Sequence, residues 1–268
     1  DALLAVFVGE GRTVTQAAPS NSNMCLVLDN GELKCVGDNS HGQLAQPHVV
    51  STDNFGDESG ETPDNLPAIQ LGSGLSAQQV ACGYFFCCAL LDNGKVKCWG
   101  RNVYGQLGQG DTTSRGLTVE SLGDNLPAVD LGSGKTARQL SLGLYHACAI
   151  LDDDTLKCWG SNEFGQMGQD SRGTSSNRGD GPSEMGDALS AIDLGAGRTV
   201  QDVTAGAYHT CALLDDTTLK CWGAGAYGAL GYGDDTDRGT SDRPMSSVPV
   251  VDLGAGRTAT QVAAGGWF

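Results

Sequence analysis

Cys88-Ala-Leu-Leu-Asp-Asn-Gly-Lys-Val-Lys-Cys98-Trp99-Gly100 is the stretch that decides how this chain folds. Two cysteines bracket an apolar run, a polar turn and a second apolar run. The stretch returns as Cys148 to Gly160, as Cys211 to Gly223 and, more weakly, as Cys25 to Gly37. Short apolar runs on either side of such a turn predict a β-hairpin. If Cys88 faces Cys98, then Ala89 faces Lys97, Leu90 faces Val96 and Leu91 faces Lys95. Asp92-Asn93-Gly94 is left as the loop. Three-residue loops close on a residue in the left-handed region, usually Gly. Gly31 and Gly94 meet that demand. Asp154 and Thr217 hold the same slot, where a β-branched Thr is expected to be strained. Opposed residues lie about 4.5–5.5 Å apart between Cα atoms, within reach of a disulfide. Each copy is therefore expected to staple itself: Cys25 to Cys35, Cys88 to Cys98, Cys148 to Cys158 and Cys211 to Cys221.

Cys82 and Cys87 complete the set of ten cysteines. They flank Gly83-Tyr84-Phe85-Phe86, and a local bridge between them is expected. A bond to another blade or chain is the alternative. An even count at repeated spacing reads as a disulfide framework and hence as an oxidising compartment. Buried free thiols in a cytosolic chain are the competing reading. No regular zinc knuckle interrupts the pattern.

Working outward, Leu-Gly-x-Gly anchors mark the repeat boundaries, as at Leu71-Gly72-Ser73-Gly74 and Leu131-Gly132-Ser133-Gly134. The repeats run 9–71, 72–131, 132–194 and 195–253 within one repeat domain spanning 1–268. Residues 1–8 look like the end of a preceding repeat and 254–268 like the start of a further one. Each repeat reads as four strands. The first is typified by 199–205 and 258–264, the second by Cys211 to Leu214, the third by Leu219 to Trp222. The fourth is typified by 191–194 and 250–253. The polar segments 45–64, 109–125, 169–188 and 232–247 read as surface loops. Four strands per unit at a period of about 62 residues suggest an all-β propeller of four-stranded antiparallel blades.

The net charge of -16 and the scattering of Lys and Arg argue against nucleic acid and anionic membranes as partners. No apolar run is long enough to span a bilayer. Ala2 to Val8 is too short, and lacks the basic flank, for a signal peptide.

Gly-x-Tyr-His-x-Cys-Ala-x-Leu at Gly143 to Leu151, Leu-Lys-Cys-Trp-Gly at Leu156 to Gly160 and Asn-x-x-Gly-Gln-Met-Gly at Asn162 to Gly168 follow one another in the third repeat. Asn102 to Gly108 repeats the last motif, and Gly225 to Gly231 does so more loosely. This pattern resembles the regulator-of-chromosome-condensation repeat, in its disulfide-containing secreted subtype. Val36 in place of Trp and Ala45 in place of the final Gly set the first repeat apart. The resemblance implies a propeller, commonly seven-bladed, of which four repeats and a fragment make part of a ring. The family's intracellular founder is a nucleotide-exchange factor, but no residue here matches that role, and a fold does not fix a function.

Candidate sites are few. His146 and His209 share one repeat position with Phe86 and Phe268, so a packed, hydrogen-bonded role is expected. No Ser-His-Asp or Cys-His arrangement supports catalysis, and neither cofactor nor metal is expected. The Asp clusters at 152–154, 215–216 and 234–237 match no calcium loop and suit turns. Arg178-Gly179-Asp180 spells an adhesion tripeptide, but corresponding loops carry Arg115-Gly116 and Arg238-Gly239. The strongest candidates are Phe85, Tyr145, Tyr208 and Trp267, each two residues after a strand-ending Gly, together with Tyr84 beside Phe85. Tyr and Trp anchor protein interfaces and stack on sugars; packing between blades is the competing reading. The sequence thus suggests a non-catalytic extracellular or cell-surface propeller that binds a protein, or a glycan, as a structural module. A secreted inhibitor of an enzyme is the alternative, and an intracellular exchange factor or chromatin adaptor is disfavoured.

Overall fold

The computed structural model describes residues 8–46, 54–58 and 60–266. Among them, twelve strands form four three-stranded antiparallel sheets. The first contains β1 (Val14–Pro19), β2 (Asn23–Leu28) and β3 (Leu33–Gly37). The second contains β4 (Ala77–Cys82), β5 (Phe86–Leu91) and β6 (Val96–Gly100). β7 (Ala137–Leu142), β8 (His146–Leu151) and β9 (Leu156–Gly160) form the third. β10 (Val200–Ala205), β11 (His209–Leu214) and β12 (Leu219–Gly223) form the fourth. The chain divides into two compact units, Asp1–Arg101 with Thr113–Ala128, and Asn102–Thr112 with Val129–Phe268.

The hairpin register is the expected one. Cys88 faces Cys98, Ala89 faces Lys97 and Leu90 faces Val96. All ten cysteines are paired, with Cα atoms 4.1 Å apart in every bridge, and Cys82 pairs with Cys87. The left-handed slot holds Gly31, Gly94, Asp154 and Thr217, all at positive φ. Each first strand carries a bulge near its start, as between Val14 and Gln16, which adds local twist. The middle strands β5, β8 and β11 are buried at every residue, the polar His146, His209 and Thr210 included.

The expected fourth strand is absent as a regular strand: each sheet has three. The segments at 191–194 and 250–253 make one ladder bond apiece, Ile192 N to Leu156 O at 2.8 Å and Val251 N to Leu219 O at 2.7 Å. Two local features stop the ladder. Pro249 precedes one segment and supplies no donor. The Asp at the third position folds its carboxylate onto a nearby amide, as in Asp193 Oδ1 with Gly195 N and Asp252 Oδ1 with Gly254 N. Each segment read as a surface loop contributes one bridge to its sheet. Phe55, Arg115, Arg178 and Arg238 each form an antiparallel bridge to the last residue of the third strand. The strand expected at 258–264 is not formed either. Its hydrogen bonds go to the preceding repeat, through Ala259 N to Thr217 O and Ala264 N to Thr204 Oγ1. The hairpin that pairs with this strand in other repeats is not among the described residues.

The core of the first unit gathers Val27, Leu33, Leu71, Val80, Leu91 and Trp99; that of the second gathers Ile150, Leu156, Val203, Leu214 and Trp222. In the first three repeats a buried lysine in the third strand ties the sheet to irregular chain, and Lys34 Nζ donates to Pro63 O. Lys97 Nζ donates to Gly123 O, and Lys157 Nζ to Leu131 O and Gly186 O.

Candidate functional site

The turn between the first and second strands presents the candidate aromatics, and three contacts fix it. Its carbonyl accepts a backbone N–H from the residue after the third strand: Phe85 O from Arg101, Tyr145 O from Ser161, Tyr208 O from Ala224. The preceding third-strand Gly makes this possible, since a Cβ on Gly100 would lie 2.4 Å from Phe85 O and one on Gly223 2.5 Å from Tyr208 O. Below the turn, Gly143 and Gly206 leave room for an imidazole, and a Cβ on either would sit 2.2 Å from Cε1 of His146 or His209.

Each turn aromatic packs on a second aromatic from the loop of the preceding repeat. In the first unit, Phe85 lies 4.7 Å from the His41 ring and 3.9 Å from Tyr84. In the second, Tyr145 meets Tyr104 edge-on at 5.1 Å and Tyr208 meets Phe164 edge-on at 5.2 Å. Tyr145 and Tyr208 are themselves 6.3 Å apart, so the second unit carries a continuous row of four rings. These separations suit edge-to-face attraction. All four rings are half-buried. Burial, then the Glu163 carboxylate and Tyr104, push the Tyr208 phenol up. Phe85 alone among the described turn aromatics has a left-handed backbone, φ 64°, a conformation that costs about 1–3 kcal/mol for a side-chain-bearing residue. Trp267 lies outside the described residues.

The loop aromatics His41, Tyr104, Phe164 and Tyr227 are functional candidates that the sequence reading passed over. Their signal was present as the third residue of the Asn-x-x-Gly loop. The rest of that motif is scaffold. Asn102 Oδ1 accepts Leu107 N, and Gln106 Oε1 accepts Tyr104 N. The Gln carbonyl then receives the indole of the following repeat: Trp99 on Gln43 O, Trp159 on Gln106 O and Trp222 on Gln166 O. Tyr227 is 88% exposed.

The histidines are buried in the blades. His146 Nε2 lies 3.0 Å from Thr210 Oγ1, which donates to Gln166 O. The hydroxyl's proton is thus committed, so Nε2 carries the hydrogen and Nδ1 is left bare; that atom is buried without a partner. Burial pushes the His146 imidazole down to about 3, with His209 adding a smaller effect. Burial lowers His209 as well. Neither meets a nucleophile in a catalytic arrangement.

The acidic clusters pair locally. Lys135 meets Asp153, Arg138 meets Asp154, and Arg198 meets Asp215 and Asp216. A polar cleft of about 460 Å³ in the second unit is lined by Arg172, Asp235, Thr236, Asp237, Asp242 and Arg243, among others. Its charges largely satisfy one another, with Arg172 3.7 Å from Asp237 and 3.6 Å from Asp242. The Arg178-Gly179-Asp180 tripeptide is held by a strand bridge and by Glu184, which receives Gly179 N and Gly181 N. The sulfurs of Cys25, Cys82 and Cys87 lie within 4.8 Å of one another, but all are in disulfides and a metal needs thiolates. Among the described residues, no helix is long and apolar enough to cross a membrane.

Two family models, both described as Regulator of chromosome condensation (RCC1) repeat, match this chain. One matches residues 14–43, 77–106, 137–166 and 200–229, and the other 93–150 and 153–213. Among curated relatives, the human probable E3 ubiquitin-protein ligase HERC6 is 28% identical over 244 residues, covering 91% of this chain and 21% of that protein. The Arabidopsis thaliana ultraviolet-B receptor UVR8 is 30% identical over 224 residues, covering 83% of this chain and 44% of that protein. The chain therefore spans less than half the length of either relative. Among solved structures, yeast RCC1 (Prp20) bound to Kap60 superposes with a TM-score of 0.66 at 19% identity, over 98% of this chain and 54% of that one. Human WBSCR16 gives the same TM-score at 20% identity, over 97% and 57%.

Proposed function

This chain belongs to the regulator of chromosome condensation (RCC1) repeat family, and from that premise we propose that it is a non-catalytic, protein-binding propeller of an extracellular or cell-surface compartment. The observation that carries the binding reading is the row Tyr104, Tyr145, Tyr208 and Phe164. Half-buried rings that pack on one another are pre-ordered, so little side-chain entropy is lost when a partner covers them. Tyr in such a setting is a common interface anchor. The five disulfides support the compartment, because bridges persist where thiols are not kept reduced.

The contact reading is tested in the native assembly by cross-linking, followed by affinity measurement with the partner so identified. Tyr145→Ala and Tyr208→Ala are each expected to weaken binding by more than about 1 kcal/mol. Unchanged affinity would return the row to a packing role. Alkylation of the denatured, unreduced native protein tests the compartment, and tags on most cysteines would refute it.

A further inference from the structure

Two disulfides from neighbouring repeats meet inside the first unit. Cys25–Cys35 staples one hairpin and Cys82–Cys87 closes the turn of the next. The Sγ atoms of Cys25 and Cys87 stand 3.7 Å apart. Thiol–disulfide exchange needs such an approach, because a thiolate attacks one sulfur of a bridge and expels the other.

Asn23 is aimed at the cluster. Its Oδ1 accepts the Ser20 hydroxyl, which fixes the amide's orientation. Its Nδ2 then points at sulfur, 3.5 Å from Cys87 and 3.8 Å from both Cys25 and Cys82. An N–H beside a sulfur favours the thiolate form when that sulfur becomes a leaving group.

Exposure sets the direction. Cys25, Cys35 and Cys87 are fully buried, whereas Cys82 is partly exposed. An external nucleophile therefore reaches Cys82, and the sulfur that leaves is Cys87, the one in contact with Cys25.

We propose that Cys82–Cys87 is a modification site for a small-molecule thiol and that it relays its exchange inward to Cys25. In the first step the small thiolate attacks Cys82 Sγ. A mixed disulfide forms there, the Cys82–Cys87 bond breaks, and its electron pair leaves on Cys87. In the second step the Cys87 thiolate attacks Cys25 Sγ. The Cys25–Cys87 bond forms, Cys25–Cys35 breaks, and Cys35 leaves as thiolate and takes the proton given up by the small thiol. Two disulfides exist before and two after, so no net oxidant or reductant is consumed. The product carries an adduct next to the Tyr84–Phe85 turn and a covalent tie between the first two repeats.

Glutathione is the probe. The folded protein is incubated with it, quenched with N-ethylmaleimide, digested without reduction and mapped by tandem mass spectrometry. The expected map has glutathione on Cys82, maleimide on Cys35 and a Cys25–Cys87 link. Adducts confined to Cys82 and Cys87, with Cys25–Cys35 intact, overturn the relay; no adduct overturns the site. Asn23→Ala is expected to slow the first step about tenfold relative to the second, because the departing Cys87 thiolate then loses its hydrogen bond. Equal slowing of both steps would mark Asn23 as structural only. Cys82→Ser leaves a Cys87 thiol against Cys25–Cys35, and a Cys25–Cys87 link is expected in part of the purified protein. A lone reactive Cys87 in that variant would also overturn the relay.

Discussion

The junction of the first and second repeats, in one unit, and that of the third and fourth, in the other, share a frame and differ in what fills it. In both, a following-repeat Trp donates to a preceding-repeat Gln carbonyl, Trp99 to Gln43 and Trp222 to Gln166. In both, the second-strand entry residue reaches across to the next repeat. In the first junction that residue is Asn23, and it finds Cys87 with Cys25 behind it. In the second it is His146, and it finds Thr210 with Cys148 behind it at 4.0 Å. The frame is set by backbone carbonyls and ring shape, which tolerate little change. The filling needs only mutual satisfaction of two side chains. One junction has thereby become sensitive to thiols and the other to protons.

The frame gives the largest expected effect. Trp99 and Trp222 are fully buried and hydrogen-bonded. Trp222→Ala is expected to cost about 3–5 kcal/mol, the usual loss for a buried large aromatic, read from urea denaturation. Trp99→Ala should cost a comparable amount. If either junction tolerated the change by losing less than about 1 kcal/mol, the shared frame would not be what holds the repeats together.

The filling of the second junction gives the next effect. His146 has an ordinary value of 6.5 that burial lowers to about 3. The unfolded chain therefore binds the proton more readily than the folded one. Stability from this group is fully present above pH 6.5 and is lost as pH falls from 6.5 toward 3. The slope is about 1.4 kcal/mol per pH unit per histidine, and His209, also lowered by burial, adds to it. His146→Phe copies Phe86 at the corresponding position and should flatten that slope. An unchanged acid dependence would show that carboxylates dominate it.

How much of this was legible in the sequence follows from the range of each contact. The hairpins were readable because Cys88 and Cys98 lie within one short stretch, and the loop residue, register and bridge all had to agree. The turn aromatics were readable as positions, since a Gly two residues earlier marks each turn. Their partners His41, Tyr104 and Phe164 were not legible as such, because they occupy a variable position of the Asn-x-x-Gly motif and meet the turn only across the boundary between repeats. The fourth strand was overcounted because a run such as Ala191-Ile-Asp-Leu194 has strand composition, while the Asp193 side chain takes a neighbouring amide out of the ladder. Asn23 with Cys87 and His146 with Thr210 are each 64 residues apart. No local pattern encodes such pairs; only the repeat geometry brings them together.

The smallest effect separates the hairpin loops of the two units. Gly31 and Thr217 occupy the same left-handed slot, at φ 76° and 67°. Gly adopts this backbone at no steric cost, whereas a β-branched residue strains there. Thr217 offsets part of the strain by donating its hydroxyl to Asp216 O at 2.6 Å. Thr217→Gly is expected to raise stability by about 0.5–1 kcal/mol, because relief of strain exceeds the added freedom of the unfolded chain. The reverse change is not its mirror image. A Cβ on Gly31 would lie 2.6 Å from Ser76 Cβ, so Gly31→Thr should cost more than Thr217→Gly gains. Urea midpoints compared at constant m-value measure both. A loss of stability in Thr217→Gly would mean that the Thr217 hydroxyl, rather than the backbone, decides this loop.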